Sequence, residues 1–402
     1  MKMKIGVLRE EKVPVDKRVV LTPKQCKKVQ ESYSNVDILV QSSDFRCFTD
    51  EEYLAEGITV VDDICACDIL LGVKEVPKEF LIANKTYLYF SHTIKEQPYN
   101  RDLLVRMLEM RINMIDYEVL KNEEGDRLLG FGRYAGIVGA YNAFLTYGLK
   151  SGCYELKPAY ECRDRIEMED ELSNLIFNNE RIVVTGRGRV GRGIMEVMRC
   201  SGIKEVSVDD FLHQIYDEPV FVHLDTMDYN EKIDGSFSNK SEFYNNPESY
   251  QSSFVRFARV ADIFIAGHYY SSGSPYLFTR EDAKSNNFNL KVVADISCDI
   301  DGPVASTIRS SIITDPIYGY DPITEKEVPF QEEGAIAVMA VSNLPCELPK
   351  DASEDFGNEL LEKIIPCLIH EDIQQIISDA TICSAGDLTS NFEYLRNYIN
   401  GS

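Results

Sequence analysis

Two side chains able to exchange protons close neighbouring apolar runs. Lys74 ends DILLGVK and His92 ends YLYFSH, both within the stretch Gly72 to Lys95. If both runs are strands of one sheet, Lys74 and His92 leave it at the same edge and face one cleft. Such a pair can serve as general base and general acid, provided burial lowers the lysine's pKa toward neutrality. The plainer alternative is two solvated surface residues, the usual fate of a lone lysine or histidine. Arg18 lies in the loop after the first apolar run, with Arg9 and Lys17. Ligands of open α/β sheets bind beyond the carboxyl ends of strands, where Arg18 can hold a substrate carboxylate. A solvated basic turn explains it equally well.

A second cluster sits in RIVVTGRGRVGRGIMEVMRC, Arg181 to Cys200. Gly186, Gly188 and Gly191 make GxGxxG between an apolar run and an amphipathic one, as a strand, turn and helix require. The first glycine permits the tight turn, the second lets backbone approach a pyrophosphate, and the third lets helix pack on strand. Free N–H groups and the positive end of the helix dipole then face the phosphates. Further on, EVSV reads as the next strand and ends at Asp209 and Asp210. An acid there binds ribose hydroxyls and repels a 2′-phosphate, so Asp209 favours NAD. Arg187, Arg189 and Arg192 in the turn leave NADP open. ADIFIAG and KVVADIS read as later strands of the same half, bringing His268 and Tyr269, then Asp295 and Ser297, toward the cofactor.

The elements that must position these groups alternate. IGVL, DILVQ, ITVVDD and DILLGV are strands interleaved with helices, among them one opened by Thr22 as N-cap with Pro23 at its first position. Such alternation implies mostly parallel sheets. The fold class expected is α/β, two Rossmann-like domains with parallel sheets and the active site in the inter-domain cleft. Residues 1–133 form the substrate and catalytic domain, completed by about 340–402. Residues 134–339 form the dinucleotide-binding domain, with a polar insertion over 211–259. The Gly- and Ala-rich run GFGRYAGIVGAYNAFLTYGLKSG reads as a long, closely packed helix joining the two.

A length of 402 residues fits two domains. The net charge of −24 repels phosphate backbones and anionic membranes, which argues against nucleic acid and membrane partners. No run approaches the roughly 20 apolar residues of a membrane span. MKMK passes directly into IGVL without a signal-like segment, which points to the cytoplasm. Eleven scattered cysteines, with no CxxC and no HExxH, read as free thiols, and no metal site is read.

Taken together, RVVLTP, LLGVKEVP, FSHTIKEQ, IDYE, GFGRYAGIVGA, the glycine turn, DISCDIDG and AVSNLPCELPKDASEDFG resemble the alanine dehydrogenase and transhydrogenase superfamily. Within it the chain is most similar to the branch of lysine-forming saccharopine dehydrogenase and lysine–ketoglutarate reductase. The resemblance runs from the first strand to about Phe356. It implies an enzyme of amino-acid metabolism that joins lysine and 2-oxoglutarate as an imine and reduces it with NAD(P)H to saccharopine, reversibly. By motif, Lys74 falls on the base that takes the secondary amine's proton and His92 on the group serving water addition. Arg18 and Arg127 fall on substrate-carboxylate ligands. Lys95, Gln97 and Phe131 border the substrate, and Glu118 stands near the catalytic lysine, where with Glu75 it raises that lysine's pKa. Gly188, Arg189, Asp209 and the turn Val341, Ser342, Asn343, Leu344 fall on cofactor positions.

The chain departs from the branch at three places. Ser342 stands where an Asp is usual before the NLP turn. Val13 stands where the fungal enzymes carry a basic residue, with Lys12 adjacent. Arg133 replaces an uncharged residue and offers a further carboxylate ligand. An alanine-dehydrogenase-like oxidative deaminase and a catalytically silent nucleotide-binding homologue are the competing readings.

Overall fold

The computed structural model describes residues 2–271, 273–370 and 372–401. The chain divides into two compact units, 1–131 with 349–402 and 132–348.

The first unit begins with β1 (Met3–Val7), β2 (Val36–Gln41), β3 (Thr59–Val61), β4 (Ile69–Lys74), β5 (Thr86–Phe90) and β6 (Asn113–Asp116). All six are mutually parallel in the order β6-β5-β4-β1-β2-β3. Both faces are buried, as parallel strands require. Ile5, Val7, Leu71, Val73 and Leu88 pack on one side, Leu70, Tyr87, Tyr89 and Met114 on the other. Thr22 caps the helix Pro23–Ser32 in a capping box with Gln25, as the sequence predicts.

The second unit opens with the helix Gly132–Ser151, so the Gly- and Ala-rich run belongs to this unit from Gly132 onward. Its sheet contains β7 (Arg181–Thr185), β8 (Lys204–Glu205), β9 (Val220–Leu224), β12 (Ile263–Ala266), β13 (Val292–Asp295), β14 (Ile317–Asp321), β15 (Lys326–Val328) and β16 (Ile336–Met339). A separate hairpin pairs β10 (Asn230–Lys232) with β11 (Tyr250–Ser252). The order is β15-β14-β16-β13-β12-β7-β9-β8, with only β14 running against the others. The stretch 211–259 is therefore more than an insertion. Its apolar VFVHL forms β9, hydrogen-bonded to β7 along five residues and buried on both faces. The charged segment before β7 holds the short helix Arg165–Asp170 and flanking 3-10 turns.

The chain returns to the first unit at Pro349, later than the crossing expected near 340. The intervening Leu344–Glu347 turn stays with the second unit because Glu347 accepts a hydrogen bond from Asn142 on the long helix (2.8 Å). Two short antiparallel strands, β17 (Thr381–Ser384) and β18 (Asp387–Leu388), then extend the first sheet beyond β6. Among the described residues no helix is long and apolar enough to cross a membrane.

Candidate functional site

In the first sheet the strand order reverses between β1 and β4. Open α/β sheets bind ligands beyond the carboxyl ends of strands at such a switch point. Lys74 is the last residue of β4, and the loop after β1 carries Lys12, Asp16 and Arg18. His92 follows β5, the parallel neighbour of β4, where Lys74 is level with Phe90. Lys74 and His92 thus leave one sheet at one edge, as the two apolar runs predict.

Burial lowers the Lys74 pKa, Arg18 lowers it further, and Asp16 and Glu75 oppose both. Glu118, expected beside Lys74, pairs with Lys95 (3.2 Å) and Arg127 (3.9 Å). Glu75 lies beside His92. Its carboxylate lies 3.5 Å from Nδ1 of His92 and is also paired with Lys12. Burial pushes the Glu75 carboxyl up, but His92 and Lys12 overcome this and hold it at about 2. Lys12, adjacent to Val13, is thus the cation that this loop brings to Glu75. His92 sits in the left-handed region, φ 56°, a conformation costing a non-glycine residue about 1 kcal/mol. The neighbouring backbone is tied down by Asp116, fully buried at the end of β6, which accepts N–H bonds from Ser91 (3.0 Å) and Glu118 (2.7 Å).

Arg18 is buried and held by Asp16, whose carboxylate accepts from Nε at 2.9 Å and from Nη2. Its guanidinium lies 4.1 Å over Phe131, which stacks on Phe356 at 4.5 Å and 8°. Arg127 lies 5.3 Å from the centre of Phe90, itself in contact with Phe131 and Phe356. Both carboxylate-ligand candidates therefore rest on one aromatic cluster, which fixes planar donors without neutralising them. Gln97 lies apart from these groups. It precedes the helix Pro98–Glu109, its side chain takes the Tyr99 hydroxyl, and its carbonyl accepts from Tyr398 (2.6 Å). The sequence assigns no role to Asp16, nor to Asp116 and Phe356, although the last two lie within the IDYE and AVSNLPCELPKDASEDFG stretches.

The second sheet reverses between β7 and β12, and there the glycine turn lies. Gly186 has φ 92°, and a Cβ on it would meet the Gly267 carbonyl oxygen at 2.1 Å. A Cβ on Gly191 would meet the Gly186 oxygen at 1.9 Å, whereas one on Gly188 would meet nothing within 4 Å. The first and third glycines are needed for packing; the second faces open space, as a pyrophosphate cradle requires. Gly188 caps the helix Arg189–Cys200 and leaves its first N–H groups without a side-chain cap. His268 is buried beside the turn. Its Nδ1 is 2.9 Å from the Thr185 hydroxyl, Nε2 has no hydrogen-bond partner among the described residues, and burial lowers its pKa to about 4.

Asp209 does not end a strand. β8 stops at Glu205, and Ser207 starts the helix Val208–His213, placing Asp209 in its first turn with an exposed carboxylate paired to His213 (3.1 Å). The acid beyond the strand adjacent to β7 is Asp225. It lies 3.5 Å from Nε of Arg187 and 3.2 Å from Nζ of Lys240. Arg187 also donates to the His223 carbonyl (3.0 Å), and His223 Nε2 lies 2.7 Å from the Gly186 oxygen. Asp295 is buried among Ser297, Thr307 and the Cys298 N–H, so it supports the loop rather than facing a ligand. Val341 and Leu344 are buried, while Ser342 is exposed and Asn343 half-buried. Arg133, expected as a further carboxylate ligand, is held by both oxygens of Glu196 at 2.7 Å.

Two sheets in this order, each with polar groups at its switch point, define the fold of the alanine dehydrogenases and transhydrogenases. The structure aligns with an L-alanine dehydrogenase over 99% of this chain and 100% of the other, with a TM-score of 0.67 at 15% identity. It aligns with a transhydrogenase from Sinorhizobium meliloti over 96% and 100%, with a TM-score of 0.56 at 13% identity. Residues 6–138 match the family model "Alanine dehydrogenase/PNT, N-terminal domain".

Within that fold, the chain is similar in sequence to alpha-aminoadipic semialdehyde synthases and to lysine-forming saccharopine dehydrogenases. It is 28% identical to the mitochondrial alpha-aminoadipic semialdehyde synthase of Mus musculus over 98% of this chain and 47% of that protein. It is 27% identical to the alpha-aminoadipic semialdehyde synthase of Arabidopsis thaliana over 97% and 41%. It is 24% identical to the NAD(+)-dependent, L-lysine-forming saccharopine dehydrogenase of Yarrowia lipolytica over 89% and 90%. The chain spans about half the length of the synthases it matches.

Proposed function

We propose that the chain is an NAD(P)-dependent oxidoreductase acting on the CH–NH bond of a saccharopine-like secondary amine, joining lysine and 2-oxoglutarate reversibly. The observation that carries this reading is the arrangement at the first switch point. A half-buried lysine with lowered pKa and a carboxylate-held histidine leave adjacent strands. Relatedness to saccharopine dehydrogenases over nine-tenths of the chain supports it.

In the direction of amine oxidation, neutral Lys74 takes the proton from the secondary amine, and its lowered pKa raises the fraction able to do so near neutrality. A dinucleotide, when bound, accepts the hydride. His92, oriented by Glu75, gives and takes the protons of water addition and carbinolamine collapse. Arg18 and Arg127 offer planar donors that match carboxylates, of which saccharopine carries three. The open Gly188 face and the unpartnered His268 Nε2 fit a dinucleotide at the second switch point.

For cofactor choice, the acid expected at position 209 is replaced by Asp225. Two cations, Arg187 and Lys240, flank its single carboxylate. Asp228 stands beside Asp225, and Arg187 and Lys240 offer cations to a ribose 2′-phosphate, so the site would take NADPH as well as NADH.

The experiment is a turnover screen with both nucleotides, lysine plus 2-oxoglutarate set against pyruvate plus ammonia. The reading expects the first pair to be active. It also expects Lys74→Met and His92→Gln each to lower turnover by roughly 10²–10⁴-fold while nucleotide binding persists. Activity only with pyruvate and ammonia, or full turnover in both variants, rejects it.

A further inference from the structure

β4 contains an irregularity at the point where it delivers Lys74. Leu71 is level with Leu88 on β5, yet Lys74 is level with Phe90, so β4 carries one residue more than its partner over this step. Along a regular strand, residues two apart share a face, and Lys74 would lie on the side of Leu70. The extra residue slips the pattern by one and sets Lys74 level with Phe90, on the side of Leu71 and Val73.

Such a bulge withdraws backbone groups from the ladder, and here one side chain takes them. Glu10, in the loop after β1, accepts the Val73 N–H at 2.6 Å through Oε1 and the Lys74 N–H at 2.9 Å through Oε2.

We propose that Glu10 is the positioning residue of the site, clamping the β4 bulge so that the Lys74 amine is held in its half-buried place. Glu10 touches neither substrate nor nucleotide in this role and acts through Lys74. The groups facing it are Asp16 and Arg18 on its own loop, the Val73 and Lys74 backbone on β4, and Tyr117 beyond β6. Burial pushes its carboxyl up to about 8, with Asp16 adding to this and the two N–H groups and Arg18 opposing it. Near neutral pH the clamp therefore places little negative charge beside Lys74. A permanently ionised acid there would favour protonated lysine and work against a base.

The inference rests on the proposed function only for its kinetic consequence, and the test separates the two. Lys74 is followed by competitive acylation with mass-spectrometric readout across pH, which needs no substrate, in the wild type, Glu10→Ala and Glu10→Gln. The expected result is that Lys74 titrates below the ordinary lysine range in the wild type. It returns toward the ordinary lysine range in Glu10→Ala and lies between in Glu10→Gln, which keeps one acceptor oxygen. Lys2 and other surface lysines stay unchanged. A purely structural role would lower the melting temperature without moving Lys74 alone. An unchanged Lys74 titration in folded Glu10→Ala overturns the proposal, and so does an unchanged Glu10→Gln if the alanine variant does not fold. With lysine, 2-oxoglutarate and NADPH, Glu10→Ala is expected to lose about 10–100-fold in kcat with little change in the nucleotide KM. A wild type inactive on these substrates refutes the functional reading while the acylation result still decides the clamp.

Discussion

The three glycines of the second unit can be separated by what each would strike if it carried a methyl group. In Gly191→Ala the new Cβ lies 1.9 Å from the Gly186 oxygen, against 3.4 Å or more for an ordinary contact. Strand end and helix start must part by about 1.5 Å, and neither is a flexible side-chain tip. Overpacking of this kind costs about 1–3 kcal/mol, a fall of roughly 2–12 °C for a unit of this size. In Gly188→Ala the Cβ meets nothing within 4 Å, and φ −80°, ψ −157° suits alanine. Losing glycine at the N-cap costs about 0.5–1 kcal/mol, while the stiffer unfolded chain returns about 0.4–1 kcal/mol. Its melting temperature should stay within about 2 °C of wild type. Its methyl group, however, stands where the pyrophosphate must approach. Loss of one charge-assisted backbone contact, about 1.5–3 kcal/mol, weakens NADH about 10–100-fold. Thermal unfolding with and without nucleotide, alongside a fluorescence titration with NADH, measures both quantities. Wild-type NADH affinity in Gly188→Ala would show that the turn does not cradle a dinucleotide, and a normal melting temperature in Gly191→Ala would refute the packing argument.

Glu75→Gln removes a carboxylate whose folded pKa of about 2 lies below its ordinary 4.5. The pairing contributes stability present above about pH 5 and lost as pH falls toward 2. Allowing for partial solvent screening, the variant should lose about 1–2 kcal/mol at pH 7 and converge with wild type near pH 2 in denaturant titrations; a constant gap across that window would contradict this. Arg187→Ala should weaken NADPH about 10–100-fold while NADH changes less, measured as the ratio of nucleotide KM values. An unchanged ratio would remove the 2′-phosphate reading.

What the sequence disclosed and what it concealed divide along physical lines. The Lys74 and His92 runs could be read because an apolar strand buried on both faces announces its end by its first polar residue, and parallel neighbours end at a common edge. The glycine turn could be read because its constraints are local: Gly186 needs positive φ, and Gly191 and Gly186 pack on each other. Asp209 misled for the converse reason. EVSV has strand-like composition, but Ser207 accepts the Asp210 N–H and starts a helix there, and the strand that pairs with β7 comes fifteen residues later, inside a stretch whose Asn, Ser and Tyr content masked VFVHL.

The supporting groups were hidden more deeply. Asp16 serves Arg18 across two loop residues, Glu10 serves Lys74 across a sheet, and Phe356 reaches the arginine cluster from a helix more than two hundred residues away. None of these relations has a period or a fixed spacing, because each is created by the topology that brings β1, β4 and the returning chain to one edge. A reacting group must present recognisable chemistry, and motif reading finds it. The groups that hold it need only a donor, an acceptor or a ring at the right distance, and any loop can supply those. Glu10 makes the difference concrete: nothing in REEKVPVDKR separates it from Glu11, yet Glu11 pairs with Arg9 beside it while Glu10 reaches the backbone of the lysine on which the proposed chemistry turns.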